Sequence, residues 1–283
     1  MARTGKPMLG KSAALAALLM LAEYAAPPPA VAQDAATKPA ATQASTTYAA
    51  PARRRIYLMR HGDVTYFDAQ GKPVPDPDAV TLNETGKVQS DAAGRYFVGL
   101  GIKKFDRVIT SNLARTIETA DRVLAAGQIE GKPQQIATLR EIKSGGASRT
   151  APAAELPSVF LGFTQAQVAA DTKFIGGETA GEMQQRVVAG FETLLQDKDW
   201  DTALVVLHGI VNNALLSRAL TGKADYFGHF EASSGCIHIL DAGPTWDDWV
   251  VRAFNLCPDP ASYGGARLSV LEKLLLQALK GRH

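Results

Sequence analysis

The sequence predicts an α/β protein, a three-layer αβα sandwich with a mostly parallel central sheet and an antiparallel edge. Two observations carry this prediction. From residue 55 onward, short buried-type apolar runs alternate with longer stretches of helical periodicity, a pattern typical of parallel sheets covered by helices. The last two apolar runs are instead joined through Gly243 and Pro244, as in a hairpin. With 46% hydrophobic and 20% charged residues, the composition is that of an ordinary globular domain.

The elements follow in order along the chain. The first strand, RIYLM, is a short apolar run, and the helix after it has Asn83 or Thr81 as its cap with Val88, Tyr96 and Phe97 on one face. Later strands and helices are read from the same two patterns. The predicted strands are 55–59, 105–111, 135–142, 203–209, 235–240 and 249–256, and the predicted helices are 83–101, 114–127, 181–197 and 210–222.

The first fifty-two residues are predicted to lie outside the folded domain. Basic residues precede an apolar run at 12–22, and Ala30 and Ala32 satisfy the small-x-small rule for cleavage, so 1–32 is predicted to be a signal peptide. A transmembrane anchor is the alternative, but the run is shorter than the roughly 20 residues that span a bilayer. Residues 33–52 are predicted to be a flexible Ala/Thr/Pro linker, and residues 53–283 are predicted to form the folded domain. The mature protein is therefore expected to be exported, periplasmic or secreted.

Charge and cysteine content restrict the partners. Thirty basic and 28 acidic residues leave a net charge of +2, which does not favour nucleic acid or an anionic membrane as a main partner. Cys236 and Cys257 flank the predicted hairpin and could pair in an oxidising compartment, or could remain two buried thiols. Neither lies in a metal-ligand pattern.

Polar residues collect where the predicted strands end. Two of the five histidines have the same context, in LMRHG and VVLHG, where an apolar strand ends in His-Gly. Because the carboxyl ends of parallel strands gather the chemistry of such folds, His61, His208, Arg60, Arg115 and Glu141 are expected to meet. Guanidinium groups clamp phosphate oxygens, imidazole can attack phosphorus, and a carboxyl group can protonate a leaving alkoxide. This set predicts phosphoryl transfer without a metal or cofactor.

The ordered segments LMRHGD, SNLARTIETA, LREI, GGETAGEMQQRV and VVLHGIVNN resemble the motifs of the histidine phosphatase superfamily, in its phosphoglycerate-mutase-like branch. The resemblance implies that His61 is a nucleophile that forms phosphohistidine, and that Arg60 and Arg115 bind the phosphoryl oxygens. It further implies that His208 is the second phosphate-pocket histidine and Glu141 the general acid. A cap insertion over the pocket is expected at about 143–178. The implied partner is a small phosphorylated substrate or a phosphoprotein, and a homodimer is possible.

The sequence departs from the family patterns at positions that distinguish between the activities of the family. The Ser-x-Trp-Asn segment by which mutases grip substrate is absent after His61, so hydrolysis of phosphomonoesters is favoured over mutase activity. The acid-phosphatase signatures are also absent, because RHGDVTY lacks the second Arg and the Pro and because Gly209 stands where His-Asp is expected. A mutase-type phosphotransferase, a catalytically silent phospholigand-binding protein and a metallohydrolase are kept as alternatives.

Several residues have a structural alternative. Arg115 could pair with Glu118 on a solvated helix face, and Glu118 or Glu178 could replace Glu141 as the acid. Asp63 is assigned to a turn and Glu178 to bracing of the next helix. His229 and His238 are assigned structural roles. The amphipathic C-terminal stretch, with leucines at 268, 271, 275 and 279, is expected to dock on the domain, with a dimer or membrane-surface contact as the alternative.

Overall fold

The computed structural model describes residues 52–265 and 267–282. The predicted signal peptide, 1–32, and residues 33–51 of the predicted linker lie outside the described residues. In the described part, the strands are β1 (Arg54–Arg60), β2 (Arg107–Thr110), β3 (Pro133–Gln135), β4 (Thr202–Leu207), β5 (Ile237–Ala242) and β6 (Trp249–Leu256). The α-helices there are α1 (Glu84–Gly99), α2 (Ala114–Gly127), α3 (Ala147–Thr150), α4 (Leu156–Leu161), α5 (Ala180–Gln196), α6 (Gly209–Thr221) and α7 (Val270–Lys280).

The strands form one six-stranded sheet in the order β3-β2-β4-β1-β5-β6. The four strands β3, β2, β4 and β1 are parallel, whereas β5 is antiparallel to β1 and β6 is antiparallel to β5. Alternate β1 side chains pack on opposite faces, with Tyr57 and Met59 against α1 and α2, and Ile56 and Leu58 against the core formed with α5 and α6. The predicted three-layer fold with its antiparallel edge is confirmed.

Two predicted elements differ from the structure. The third strand is Pro133–Gln135 rather than 135–142, and a 3₁₀ turn over Ala137–Leu139 follows it. The prediction was wrong because Ile136, Leu139 and Ile142 recur every third residue, a spacing that buries one side of a helical turn rather than one face of a strand.

The buried face of α1 also differs from the predicted one. Val88 is exposed, whereas small residues such as Ser90, Ala93 and Gly94 are buried together with Phe97. A Cβ on Gly94 would lie 2.5 Å from the carbonyl oxygen of Val123 in α2. The face was mispredicted because α1 packs closely on α2 through small side chains, which hydrophobic periodicity does not register.

No helix in residues 52–265 and 267–282 is long and apolar enough to cross a bilayer.

A disulfide joins Cys236, just before β5, to Cys257, just after β6, and closes a loop with a sequence separation of 21. Both cysteines are buried, and the paired alternative of the sequence analysis is the one found.

Reduction of this disulfide is expected to lower the free energy of unfolding by about 3 kcal/mol, because a bridge across a loop of this length restricts the unfolded chain. Urea unfolding with and without a thiol reductant measures the difference. The Cys236→Ser/Cys257→Ser double variant is the control and should not respond to reductant. Equal stability of the oxidised and reduced parent would contradict the prediction.

Candidate active site

Strand register brings the two His-Gly motifs together. In the parallel pairing of β1 with β4, Arg60 lies opposite Leu207, so His61 and His208 follow at the same level of the sheet. The His61 backbone N–H donates to the Leu207 carbonyl at 2.9 Å. The two imidazole rings are 5.3 Å apart between centroids and meet edge to face.

Hydrogen bonding fixes the orientation and tautomer of His61. Its Nδ1 lies 2.7 Å from the carbonyl oxygen of Gly62. Because a carbonyl only accepts, Nδ1 carries the proton and donates, and Nε2 keeps its lone pair. The Gly62 N–H in turn donates to the Thr119 hydroxyl at 3.0 Å. A Cβ on Gly62 would lie 2.4 Å from the carbonyl oxygen of Gly86, so the turn that follows His61 requires glycine.

Two arginines are buried around His61. Arg60 and Arg115 are 8% and 3% exposed. The Arg60 guanidinium donates to the Ala232 carbonyl at 2.6 Å, and that of Arg115 donates to the Pro77 carbonyl at 3.1 Å. The Nε atoms of both have no hydrogen-bond partner, and no carboxylate among the described residues forms an ion pair with either. Two buried cations therefore line a cavity without forming an ion pair to a described carboxylate.

The environment of His61 keeps its imidazole neutral. Burial lowers the pKa of His61 well below its usual value, and the positive charges of Arg115 and Arg60 lower it further. The Gly62 hydrogen bond acts in the opposite direction and does not reverse the shift. Neutral imidazole with a free Nε2 is the form that can act as a nucleophile.

His208 lies behind this group rather than at the surface of the cavity. It is fully buried, and its Nε2 lies 2.9 Å from the Ser111 hydroxyl oxygen, whereas its Nδ1 has no partner. Burial lowers the pKa of His208 well below its usual value, and Arg115, His61 and Arg60 add to the effect.

Glu141 follows the 3₁₀ turn after β3 and lines the same cavity as His61. The residue is half-buried, and its Oε1 accepts the Ile142 backbone N–H at 3.0 Å. Burial raises the pKa of the carboxyl group, and the Ile142 hydrogen bond and the charges of Arg60 and Arg115 offset this only in part. Glu141 therefore holds a proton more readily than an ordinary glutamate, as a general acid must.

Glu118 and Glu178, the two alternatives to Glu141 as the acid, have other partners in the structure. Glu118 accepts the Leu82 backbone N–H instead of pairing with Arg115. Glu178 forms an ion pair with Arg186 of α5 at 2.7 Å and is not among the residues that line the cavity. Burial alone would raise its pKa, but hydrogen bonds from Arg186 and from the backbone outweigh burial and lower it. Glu178 thus braces α5 and is not placed to supply a proton at His61.

Asp63 also has a structural contact. Its Oδ2 accepts from the side-chain amide of Asn83, the residue that caps α1. His238 is buried outside the cavity, where burial lowers its pKa to about 4 and its Nδ1 accepts the Asn255 N–H.

The cavity has a volume of about 810 Å³. Of the residues predicted for the site, Arg60, His61, Arg115 and Glu141 line it, and His208 supports it from behind. Tyr66, which the sequence pattern did not indicate as a site residue, also lines the cavity. Its ring lies 5.8 Å from the Arg115 guanidinium. Tyr66 sits in an irregular loop, where no periodicity marks a residue as functional.

His229 was assigned a structural role, but it lies at the cavity with an exposed side chain.

An α/β sheet that delivers a neutral histidine, two unpaired arginines and a carboxyl group to one cavity defines a class of proteins that handle phosphate esters. The chain belongs to the histidine phosphatase superfamily (branch 1), whose family model matches residues 56–256. The predicted family is confirmed.

Two named relatives illustrate the range of the family. The chain is 27% identical over 198 residues to the mitochondrial serine/threonine-protein phosphatase Pgam5 of Drosophila melanogaster, which covers 68% of this chain and 60% of Pgam5. It is 28% identical over 182 residues to the "Probable phosphoglycerate mutase GpmB" of Salmonella paratyphi A, covering 59% of this chain and 74% of GpmB. The chain therefore spans less than two thirds of the length of this Pgam5.

A solved structure confirms the fold. The α-ribazole phosphatase of Shigella flexneri superposes with a TM-score of 0.54 at 22% identity, covering 71% of this chain and 96% of that one. At this identity the likeness concerns the fold alone.

Proposed function

We propose that this protein is a metal-independent phosphomonoester hydrolase that forms a phosphohistidine on His61. The observation that carries the proposal is the pair of buried arginines, Arg60 and Arg115, which have no carboxylate partner among the described residues and flank a neutral histidine. A phosphoryl group would be the anionic partner that these guanidinium groups lack among the described carboxylates. Phosphate esters are also the chemistry named for the relatives, which include phosphatases and a phosphoglycerate mutase.

In the first step, the Nε2 lone pair of His61 attacks phosphorus and an N–P bond forms as the ester P–O bond breaks. The leaving alkoxide takes the proton of Glu141 and departs as an alcohol. Arg60 and Arg115 stabilise the equatorial oxygens, whose charge redistributes during transfer.

In the second step, the Glu141 carboxylate takes a proton from water, whose oxygen attacks phosphorus as the N–P bond breaks. The electron pair returns to Nε2 of His61, orthophosphate leaves and Glu141 is again protonated. His208, hydrogen-bonded to Ser111, packs edge to face on His61 and is proposed to hold the imidazole in position.

Hydrolysis is proposed over mutase activity because the mutase segment that grips substrate after His61 is replaced by DVTYFDAQG. The loop that takes its place contributes Tyr66 and Phe67 to the cavity wall.

The test is hydrolysis of p-nitrophenyl phosphate by the purified protein in the presence of a chelator. We expect the parent to be active, and His61→Asn to lose about 10³-fold or more in kcat/KM, since the nucleophile is removed. Acid-labile, alkali-stable phosphate should be trapped on the parent after rapid quenching in alkali, and not on His61→Asn. His238→Asn changes a histidine outside the cavity and should still trap phosphate as the parent does.

Loss of activity with chelator would contradict the metal-independent mechanism. Full activity without any trapped phosphoenzyme, under conditions where the second step is slow, would favour direct attack by water.

We also propose that the protein works in an oxidising compartment after export. The disulfide between Cys236 and Cys257 supports this proposal, because such bonds persist mainly outside the reducing cytosol.

A further inference from the structure

Helix α7 lies beyond the part of the chain that the family model matches, which ends at residue 256. It is nevertheless packed on the domain, against α4 of the cap insertion, and buries Leu275 and Ala278. At its carboxyl end, the Arg282 guanidinium donates to the Ser148 carbonyl of the cap at 2.7 Å. The helix and the cap therefore form one wall.

The inner side of α7 forms part of the cavity that contains His61. Leu271 and Leu274 line it and are half-buried. The facing surfaces are also apolar and come from three other segments: Phe67 in the loop after β1, Phe163 in the cap and Phe230 in the loop before β5. Away from the arginines, these aromatic and aliphatic side chains thus form an apolar group within a lining that also contains polar residues such as Thr164 and Asn213. Such an apolar group binds carbon chains or rings better than hydroxyl-rich groups.

The charges on the α7 wall are acidic and are used by the helix itself. Glu272 accepts the Ser269 backbone N–H at 2.6 Å, and Glu231 faces the Val270 N–H at 3.4 Å. Among the described residues that line the cavity, this wall offers no cation to a second phosphate or carboxylate of a substrate.

The cations on the cap side are either paired or exposed. Arg140 forms an ion pair with Asp78, whereas Lys143 and Arg149 line the cavity with exposed side chains. Within the described cavity lining, the cations that are both buried and without an ion pair are Arg60 and Arg115, so the buried anion site of this lining lies beside His61 and has room for one phosphoryl group.

We propose that α7 and the cap form a binding site for the apolar alcohol part of the substrate. The substrate class is then a phosphomonoester of a long-chain or aromatic alcohol with a single anionic group. This inference rests on the proposed function, since it assigns the substrate class of the same site.

The test is a series of n-alkyl phosphates from ethyl to decyl, with glycerol 3-phosphate and 3-phosphoglycerate as polar comparisons. We expect kcat/KM to rise about two- to fourfold for each methylene until the cavity is filled, the increment expected for burying a CH₂ group. Binding of n-alkylphosphonates, measured by calorimetry, should show the same dependence without requiring turnover.

Two leucines of α7 provide matched variants. Leu274 lines the cavity, whereas Leu276 is 47% exposed on the same helix and is not among the lining residues. We expect Leu274→Asn to reduce the octyl-to-ethyl ratio of kcat/KM about tenfold, and Leu276→Asn to leave that ratio unchanged. Thermal unfolding of each variant shows whether the asparagine destabilises α7. If it does, Leu274→Ala is the variant to compare with Leu276→Asn.

The outcomes separate the two proposals. A flat series among esters that are hydrolysed, or a preference for 3-phosphoglycerate, overturns the apolar site and leaves the proposed function intact. Chain-length-dependent phosphonate binding without hydrolysis of any ester supports the apolar site and contradicts the proposed function.

Discussion

Replacement of Arg115 by methionine is expected to reduce kcat/KM for phosphomonoesters about 10³-fold, because a donor to the transferring phosphoryl group is removed. The same change is expected to raise the free energy of unfolding by about 2 kcal/mol. Both effects have one cause. The Arg115 guanidinium is buried and forms no ion pair with a carboxylate of the described chain, so its charge is desolvated without a direct partner in the folded protein.

The stability gain is expected because methionine fills similar space without a charge to desolvate. The substitution removes a hydrogen bond from the guanidinium to the Pro77 carbonyl and a 5.8 Å approach to the Tyr66 ring. Neither interaction offsets the burial of an unpaired cation. The substitution should also raise the pKa of His61, because the charge of Arg115 lowers that pKa more than the charge of Arg60 does. Urea unfolding and steady-state kinetics on the same preparation measure both effects.

Arg122 is the matched control on the same helix. Its guanidinium pairs with Asp91 at 2.6 Å and is about one third exposed. Arg122→Met should leave kcat/KM unchanged and should slightly reduce stability, since it leaves Asp91 unpaired. If Arg115→Met unfolded more easily than the parent, Arg115 would be a structural residue whose contacts stabilise the fold by more than the burial of its charge costs.

The sequence allowed the prediction that the two His-Gly motifs lie close together, because this depends only on where the strands end and on one property of parallel sheets. LMRHG and VVLHG each end a buried strand, and the carboxyl ends of parallel strands share an edge. The structure adds the register, Arg60 opposite Leu207, which places His61 beside His208. Register depends on pairing between segments far apart along the chain, and no local pattern specifies it.

The contacts that hold the arginines were not predictable. Arg60 donates to the backbone carbonyl of Ala232, 172 residues away along the chain. Because every residue has a backbone carbonyl, the sequence does not indicate which one accepts this hydrogen bond. The cap presents the same difficulty, because its short helices α3 and α4 are fixed by packing, α4 against α7, rather than by their own periodicity. Residues of the cap also line the cavity, so the family could be predicted from the sequence but the shape of the cavity could not.

Replacement of Glu141 by glutamine is expected to affect esters according to their leaving groups. For an alkyl phosphate, whose alkoxide must be protonated as it leaves, kcat/KM should fall about 10²- to 10⁴-fold. For p-nitrophenyl phosphate, whose phenolate leaves without a proton, kcat/KM should change about tenfold or less. The second step still requires Glu141 to accept a proton from water, so kcat should fall for both substrates. The variant should release a burst of p-nitrophenolate and accumulate phosphohistidine on His61.

The pH dependence gives a second, independent readout. In the proposed mechanism, activity requires neutral His61, so it should be lost as pH falls through the pKa of His61, which burial and the arginines place below its usual value. The proposed mechanism also requires protonated Glu141 for alkyl phosphates, so this activity should be lost as pH rises through the pKa of Glu141, which burial places above its usual value. Glutamine cannot titrate, and the alkaline loss should therefore be absent from the residual alkyl phosphatase activity of Glu141→Gln, while the acid loss remains.

Glu178→Gln is the control for this experiment. Glu178 is a partly buried carboxylate that pairs with Arg186, and it does not line the cavity. Its amide variant should keep the parent's ratio between alkyl and aryl phosphates and should show no burst, even where weaker bracing of α5 lowers stability. If Glu141→Gln reduced kcat/KM for alkyl and aryl phosphates equally and produced no burst, Glu141 would position the phosphoryl group rather than transfer a proton. The general acid would then have to be sought among the other groups that line the cavity, such as the exposed imidazole of His229.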